Sequence, residues 1–290
     1  MELVEWPFRA DEALRAQRLT RRELRRFFTG VYPGVWIPRG VELTPRQRAC
    51  AAWLWSRRCG VLAGLSAAAM LDTKWIDAGL PAELIHTNRR PPPLLTVHTD
   101  RLTPEETREV AGIPVTTPAR TAFDLGRRLP LIDGVQRLDA LINATDLKVP
   151  DVAALATVHP RVPGLRRLAA TLALVDGGAE SPYESMTRLM LVRAGFPRPQ
   201  TQIKVCDAFG QVIARIDLGW REWQVGVDFD GRHHWTSARQ RAWDAERYSL
   251  LGEFGWTDIR LTSWTLHRAP EVFLRRVGEA LIARGCPKTW

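Results

Sequence analysis

The chain has 290 residues, 45% of them hydrophobic, and a formal net charge of +9 from 41 Lys and Arg against 32 Asp and Glu. That length exceeds one ordinary core and points to two or three domains, and the hydrophobic share excludes a disordered or fibrous chain. The positive surplus favours a polyanionic partner, nucleic acid before an anionic membrane, although only four basic residues are lysine (Lys74, Lys148, Lys204, Lys288), an arginine dominance that a GC-rich genome also produces. Cys50, Cys59, Cys206 and Cys286 are widely spaced with no CxxC pair, which argues against a zinc ribbon or a disulfide framework. The opening "MELVEWPFRADE" carries acids where a signal peptide needs positive charge, and Arg57 and Arg58 interrupt the most apolar stretch, "CAAWLWSRRCGVLAGLSAAAML". No membrane span is expected, and the cytoplasm is the expected compartment.

In "RLTRRELRRFF", Thr20 and Glu23 form a capping box while Leu19 and Leu24 supply a hydrophobic staple. A helix therefore starts at Thr20. At about 100° per residue, Arg21, Arg22, Arg25 and Arg26 share one sector, with Leu24, Phe27 and Phe28 opposite. "ADEALRAQR" reads as a preceding helix and "GVYPGVWIP" as a hairpin turning at Pro33 and Gly34. Helix, turn, arginine-faced helix and hairpin in that order predict a winged helix-turn-helix over residues 1–40, its second helix reading DNA. The alternative is a solvated charged face.

Residues 41–176 read as a mixed α/β region with a helical connector. Thr44 and Pro45 open a helix at "LTPRQRACAAWLW"; strands follow at "AELIHT" and "LLTVHT", and "GIPVTTPARTAFDLGRRL" is a strand leading into a helix. The words "LTRRELRR", "GVYPGVW", "LTPRQRACAAWLW", "LSAAAML" and "VTTPARTAFDL" together resemble the AbiEi antitoxins of type IV toxin–antitoxin and phage-abortive systems. The resemblance implies a winged-helix DNA reader followed by an α/β domain, and a cognate toxin as partner. It departs at the hairpin, where Pro33 stands in place of a basic residue. The connector "VPGLRRLAATLALVDGGAE" ends at the glycine pair Gly177 and Gly178, taken as the boundary of a domain over 177–290.

Beyond it the order is a helix ("SPYESMTRLMLVRAGF"), three strands ("QTQIKVCD", "QVIARIDLGW", "WQVGVDF"), a long helix from about Ser237, a strand ("TDIRLT") and a final helix. Strand alternation sets Asp217 opposite in direction to Val212, Ala214, Ile216 and Leu218, and sets Asp228 and Asp230 away from Val225, Val227 and Phe229. Carboxylates gathered beside an apolar face need a cation or donors to offset their desolvation. Mg²⁺ held by Asp217 and Asp228, with Asp230 near the strand end, would meet that need and could activate water for phosphodiester hydrolysis. Asp228 and Asp230 have a turn-bonding alternative at Gly231, and Glu184, three residues after Ser181, has a capping alternative.

This αβββαβ order is similar to the PD-(D/E)XK nucleases, and "SPYESMTRLMLVRAGF", "ARIDLGW", "VGVDFDGRHHW" and "DAERYSLLGEFGWTDIRLT" resemble the very-short-patch repair endonucleases. The resemblance implies a restriction-endonuclease-like fold, with Glu184 as the helix acid, Asp217 as central metal ligand, Asp228 as second acid, and His233 or His234 handling the proton. Asp230 occupies the place of the superfamily's usual lysine. Arg239 on the following helix is a candidate phosphate contact. Two readings follow: a Mg²⁺-dependent DNA endonuclease of defence, repair or toxin–antitoxin type, or a catalytically inactive AbiEi-like antitoxin and autorepressor. A third reading takes RNA rather than DNA as the target, although the sequence shows no evident aromatic platform for unstacked bases.

Overall fold

In the computed structural model residues 5–88, 90–230 and 249–290 are described. The chain is a mixed α/β protein with three sheets among the described residues, and it divides into two compact units, Met1–Ala173 and Leu174–Trp290.

The first unit opens with β1 (Phe8–Arg9), α1 (Ala10–Arg15), α2 (Arg21–Phe27), β2 (Phe28–Tyr32) and β3 (Val35–Pro38). The Thr20 hydroxyl accepts the Glu23 amide at 3.2 Å, and the Glu23 carboxylate accepts the Thr20 amide at 2.8 Å. The box thus satisfies two otherwise unpaired helix donors. β2 and β3 form the antiparallel hairpin around Pro33 and Gly34, and β1 adds to β3 in the order β1-β3-β2. Phe8, Ala13, Leu19, Leu24 and Phe28 bury one small core beneath these elements. The expectation for Phe27 fails: it is 43% exposed. Helix α2 ends there, so the backbone turns into β2 and Phe28 alone points inward.

Thr44 caps α3 (Pro45–Trp55), with Pro45 where a missing amide costs nothing. The long apolar stretch is two helices rather than one, because Arg57 and Arg58 adopt positive φ of 57° and 64° before β4 (Val61–Leu62) and α4 (Gly64–Met70). Strands β5 (Ala82–Ile85), β6 (Leu95–His98), β7 (Thr107–Val110) and β8 (Ile113–Thr116) complete a sheet of order β6-β5-β4-β8-β7. Leu62, Ala67, Met70, Leu84 and Val115 are among its fully buried side chains. Helix α5 (Pro118–Arg128) leads from β8 into a helical layer of α6 (Leu131–Ala144), α7 (Val149–Val158) and α8 (Leu165–Leu172), all packed on α5.

The second unit has α9 (Pro182–Arg193), β9 (Gln200–Cys206), β10 (Val212–Trp220), β11 (Val225–Asp230), α10 (helical residues 249–253), β12 (Thr257–Thr262), α11 (Ser263–Arg268) and α12 (Pro270–Ala283). Its sheet runs β12-β11-β10-β9, antiparallel except for the parallel pair β11 and β12. The final helix is divided at Ala269, since the residue before a proline is disfavoured in helical geometry. The alternation expected along β10 also breaks. Ala214 and Ile216 pack with Ile203, Val205, Leu251 and Trp256, whereas Leu218 and Trp220 pack with Val225 and Val227. The break falls at Asp217, opposite Gln202, whose φ is 51°. Among the described residues no helix is long and apolar enough to cross a membrane.

Candidate nucleic-acid interface and acidic pair

Arg21, Arg22, Arg25 and Arg26 are all exposed on α2, while Leu24 between them is buried. The Arg26 guanidinium lies 5.1 Å from the centre of the Phe27 ring, so the exposed aromatic serves as a shelf for a cation. Arg39, just beyond β3, donates to the main-chain carbonyls of Arg25 at 2.9 Å and Phe28 at 3.3 Å. A guanidinium at the end of α2 satisfies carbonyls that have no partner within the helix and complements the helix dipole. It also ties the hairpin to the arginine helix. Sequence reading missed Arg39, because one arginine after Pro38 gives no spacing signal. The four exposed guanidinium groups suit phosphate oxygens and guanine edges.

In the second unit, Asp217 and Asp228 lie opposite one another on β10 and β11, continuing the register that pairs Leu218 with Val227. Asp228 accepts the amide of Asp217 at 2.8 Å, and Asp217 accepts the amide of Phe229 at 3.0 Å. These bonds replace ladder bonds where β10 changes sides, so the two carboxylates stitch the strands together. Asp230 is half-buried at the end of β11, aligned with Thr262. His233, His234 and Arg239 lie outside the described residues.

Glu184 is buried in the first turn of α9, where the Ser181 hydroxyl accepts its amide at 3.2 Å. Its carboxylate accepts the Glu180 amide at 2.8 Å and the Gln202 side-chain amide at 2.9 Å. Burial pushes this carboxyl above the usual glutamate range, against the opposing pull of those donors. A raised folded-state value means that the folded protein holds the proton better than the unfolded chain, so stability falls as pH rises above the unfolded value of about 4.3. Glu184→Gln keeps an acceptor and removes the buried charge. The expected result is a higher thermal midpoint at pH 7.5, with a difference that shrinks toward pH 4. A lower midpoint at pH 7.5 would contradict it.

Among the described residues, no group of three His, Cys, Asp or Glu side chains could hold a metal ion. Asp217 and Asp228 each commit an oxygen to the main chain, and Glu184 commits Oε2 to two donors. Among the described residues the Mg²⁺ platform is not assembled as a cluster of three ligands, and no hydrolytic step is derived through it.

The first unit contains an ionic network that sequence reading did not anticipate. Arg120, 1% exposed, donates to Glu106 at 2.7 Å and to Asp124 at 3.0 Å. Arg127 donates to Asp124 at 2.9 Å and also to Asp100, while His159 meets Glu106. The Arg120 and Arg127 guanidinium groups sit 5.7 and 5.5 Å from the centre of the buried Phe123 ring. Burial alone would raise the Asp100 carboxyl, but Arg128, Arg127 and Arg120 together hold it below its usual range. Glu106 is likewise held low, its burial outweighed by His159, the Thr103 amide and Arg120. The words "VTTPARTAFDLGRRL" that opened α5 in the sequence supply most of this network.

Residues 57–175 match the family model of the AbiEi antitoxin C-terminal domain. The matched segment holds β4 through α8 and the whole buried network. Two of the five resembling words, "LSAAAML" and "VTTPARTAFDL", fall inside it, whereas α2, the hairpin and α3 precede it. The chain is also similar to uncharacterized proteins from two strains of Mycobacterium tuberculosis, each 24% identical over 174 residues. Those alignments cover 60% of this chain and 64% of each relative, so the chain spans less than two thirds of the relatives' length. No solved structure matches the chain.

Proposed function

We propose that the protein is the antitoxin of a toxin–antitoxin pair, with DNA binding through α2 and a cognate toxin as its protein partner. The observation that carries this reading is the AbiEi antitoxin C-terminal domain at residues 57–175. Helix α1, helix α2 and the β2–β3 hairpin follow one another as they do in a winged helix-turn-helix, and four exposed arginines on α2 give the charge that duplex DNA requires. The same charge lets the protein act on its own promoter as an autorepressor.

The second unit is read as a restriction-endonuclease-like fold used for binding rather than cleavage. Its helix, three antiparallel strands, helix and parallel strand support the fold. The interlocked Asp217 and Asp228, and an aspartate at 230 where a lysine is usual, support the absence of catalysis. Co-expression with the product of the adjacent toxin reading frame tests the main reading. The expected result is restored growth; continued arrest in the presence of soluble protein would overturn it. A plasmid incubated with the protein and Mg²⁺ is expected to stay supercoiled, and nicking abolished by Asp217→Asn would restore the endonuclease reading.

A further inference from the structure

Residues far apart in sequence assemble an aromatic shelf on the second unit. Tyr183, in the first turn of α9, stacks on Phe229 of β11 with ring centres 4.3 Å apart and planes 8° from parallel. His267 of α11 meets the edge of Tyr183 at 6.3 Å and 71°. Trp264 precedes His267 by three residues and Arg268 by four, the spacing that places helix side chains on one face. All three are exposed on that helix, Trp264 to 62%, and Tyr183 is 38% exposed. The largest apolar side chain of the helix therefore stands in water beside an imidazole and a guanidinium. Phe229 and Asp228 are consecutive on β11 and point to opposite sheet faces, so the shelf is turned away from the acidic pair.

Flat π faces bordered by positive charge match one ligand chemistry closely: an unstacked base with its flanking phosphate. Stacking of a base on an exposed aromatic needs no base-edge recognition, and a neighbouring arginine serves the backbone. A duplex cannot use such a shelf without unstacking, whereas a single strand offers its bases freely. The second unit carries 16 Lys and Arg against 14 Asp and Glu, so the preference for an anionic ligand rests on the Arg268 guanidinium beside the shelf and not on the overall charge. We propose that Trp264, Tyr183, His267 and Arg268 form a site for an unpaired nucleotide of single-stranded nucleic acid. This site is separate from the arginine helix α2 and does not depend on the antitoxin reading.

Fluorescence anisotropy of the full chain with labelled oligothymidylate and with a labelled duplex tests it. Trp264→Ala is expected to weaken oligothymidylate binding roughly 5- to 150-fold, the loss of one stacked base, while Trp264→Phe restores most of it. Arg268→Ala is expected to lower the salt slope for the single strand by about 0.7. Duplex affinity should be unchanged in all three, and an oligothymidylate carrying 5-iodouracil should crosslink to Trp264 or Tyr183. An exposed position leaves the thermal midpoint of Trp264→Ala within a degree or so of wild type, which separates lost binding from lost fold. Equal oligothymidylate affinity of Trp264→Ala and wild type would overturn the proposal. So would no oligothymidylate binding by wild type, or an equal loss for single strand and duplex. Loss of duplex binding alone in α2 variants would leave it standing.

Discussion

Asp124→Ala is expected to destabilise the first unit by about 3–5 kcal/mol, the usual cost of removing one member of a buried ionic cluster. Asp124 is fully buried and accepts from both Arg120 and Arg127. Those guanidinium groups keep Glu106 and Asp100 as partners, but both then face an empty volume with less negative charge than the cluster was built to hold. Asp124→Asn retains size and an acceptor and should lose less. Urea unfolding, read as a shift of midpoint at constant slope, measures both. A change under 1 kcal/mol for alanine would mean that water reaches the cluster. The same network makes the unit acid-labile. Asp100 and Glu106 are held below their usual range, so their contribution is complete above the unfolded values near 4 and is lost as pH falls through the depressed folded ones.

Gly219→Ala is expected to cost on the order of 3 kcal/mol in the second unit. Gly219 and Gly226 are paired across β10 and β11, two registers from the Asp217–Asp228 pair. A methyl group at Gly219 would lie 2.5 Å from the Val225 carbonyl oxygen and 3.1 Å from the Gly226 Cα. Both are main-chain atoms of a neighbouring strand, so no side-chain rotation relieves the contact. Separating the strands there would also lengthen the bonds by which Asp217 and Asp228 stitch them. Calorimetry of the variant should show the loss, and a melting curve like that of wild type would contradict the tight register.

The elements legible in the sequence were those whose signals are local. Thr20 with Glu23 and Thr44 with Gln47 are caps written within four residues, and the two-residue turn at Pro33 and Gly34 is equally short-range. The arginine face of α2 was legible for the same reason. Phe27 was misplaced because periodicity assumes that the helix continues, and α2 stops at that residue. Asp217 and Asp228 were correctly set on facing strands, but spacing does not reveal what a carboxylate accepts. Their amide partners come from the side switch at Asp217 and the positive φ of Gln202. The aromatic shelf and the Glu106–His159 contact were illegible, since each joins residues more than 40 positions apart.

Duplex affinity as a function of salt, for wild type and Arg22→Ala/Arg25→Ala, is the most direct test of α2 as the DNA-reading helix. Each neutralised phosphate contributes about 0.9 to the slope of log K against log salt. The double variant is therefore predicted to bind more weakly at every salt concentration, with a slope smaller by nearly 2, while its thermal midpoint stays close to wild type because both side chains are exposed. The same affinity and the same slope in both proteins would contradict it.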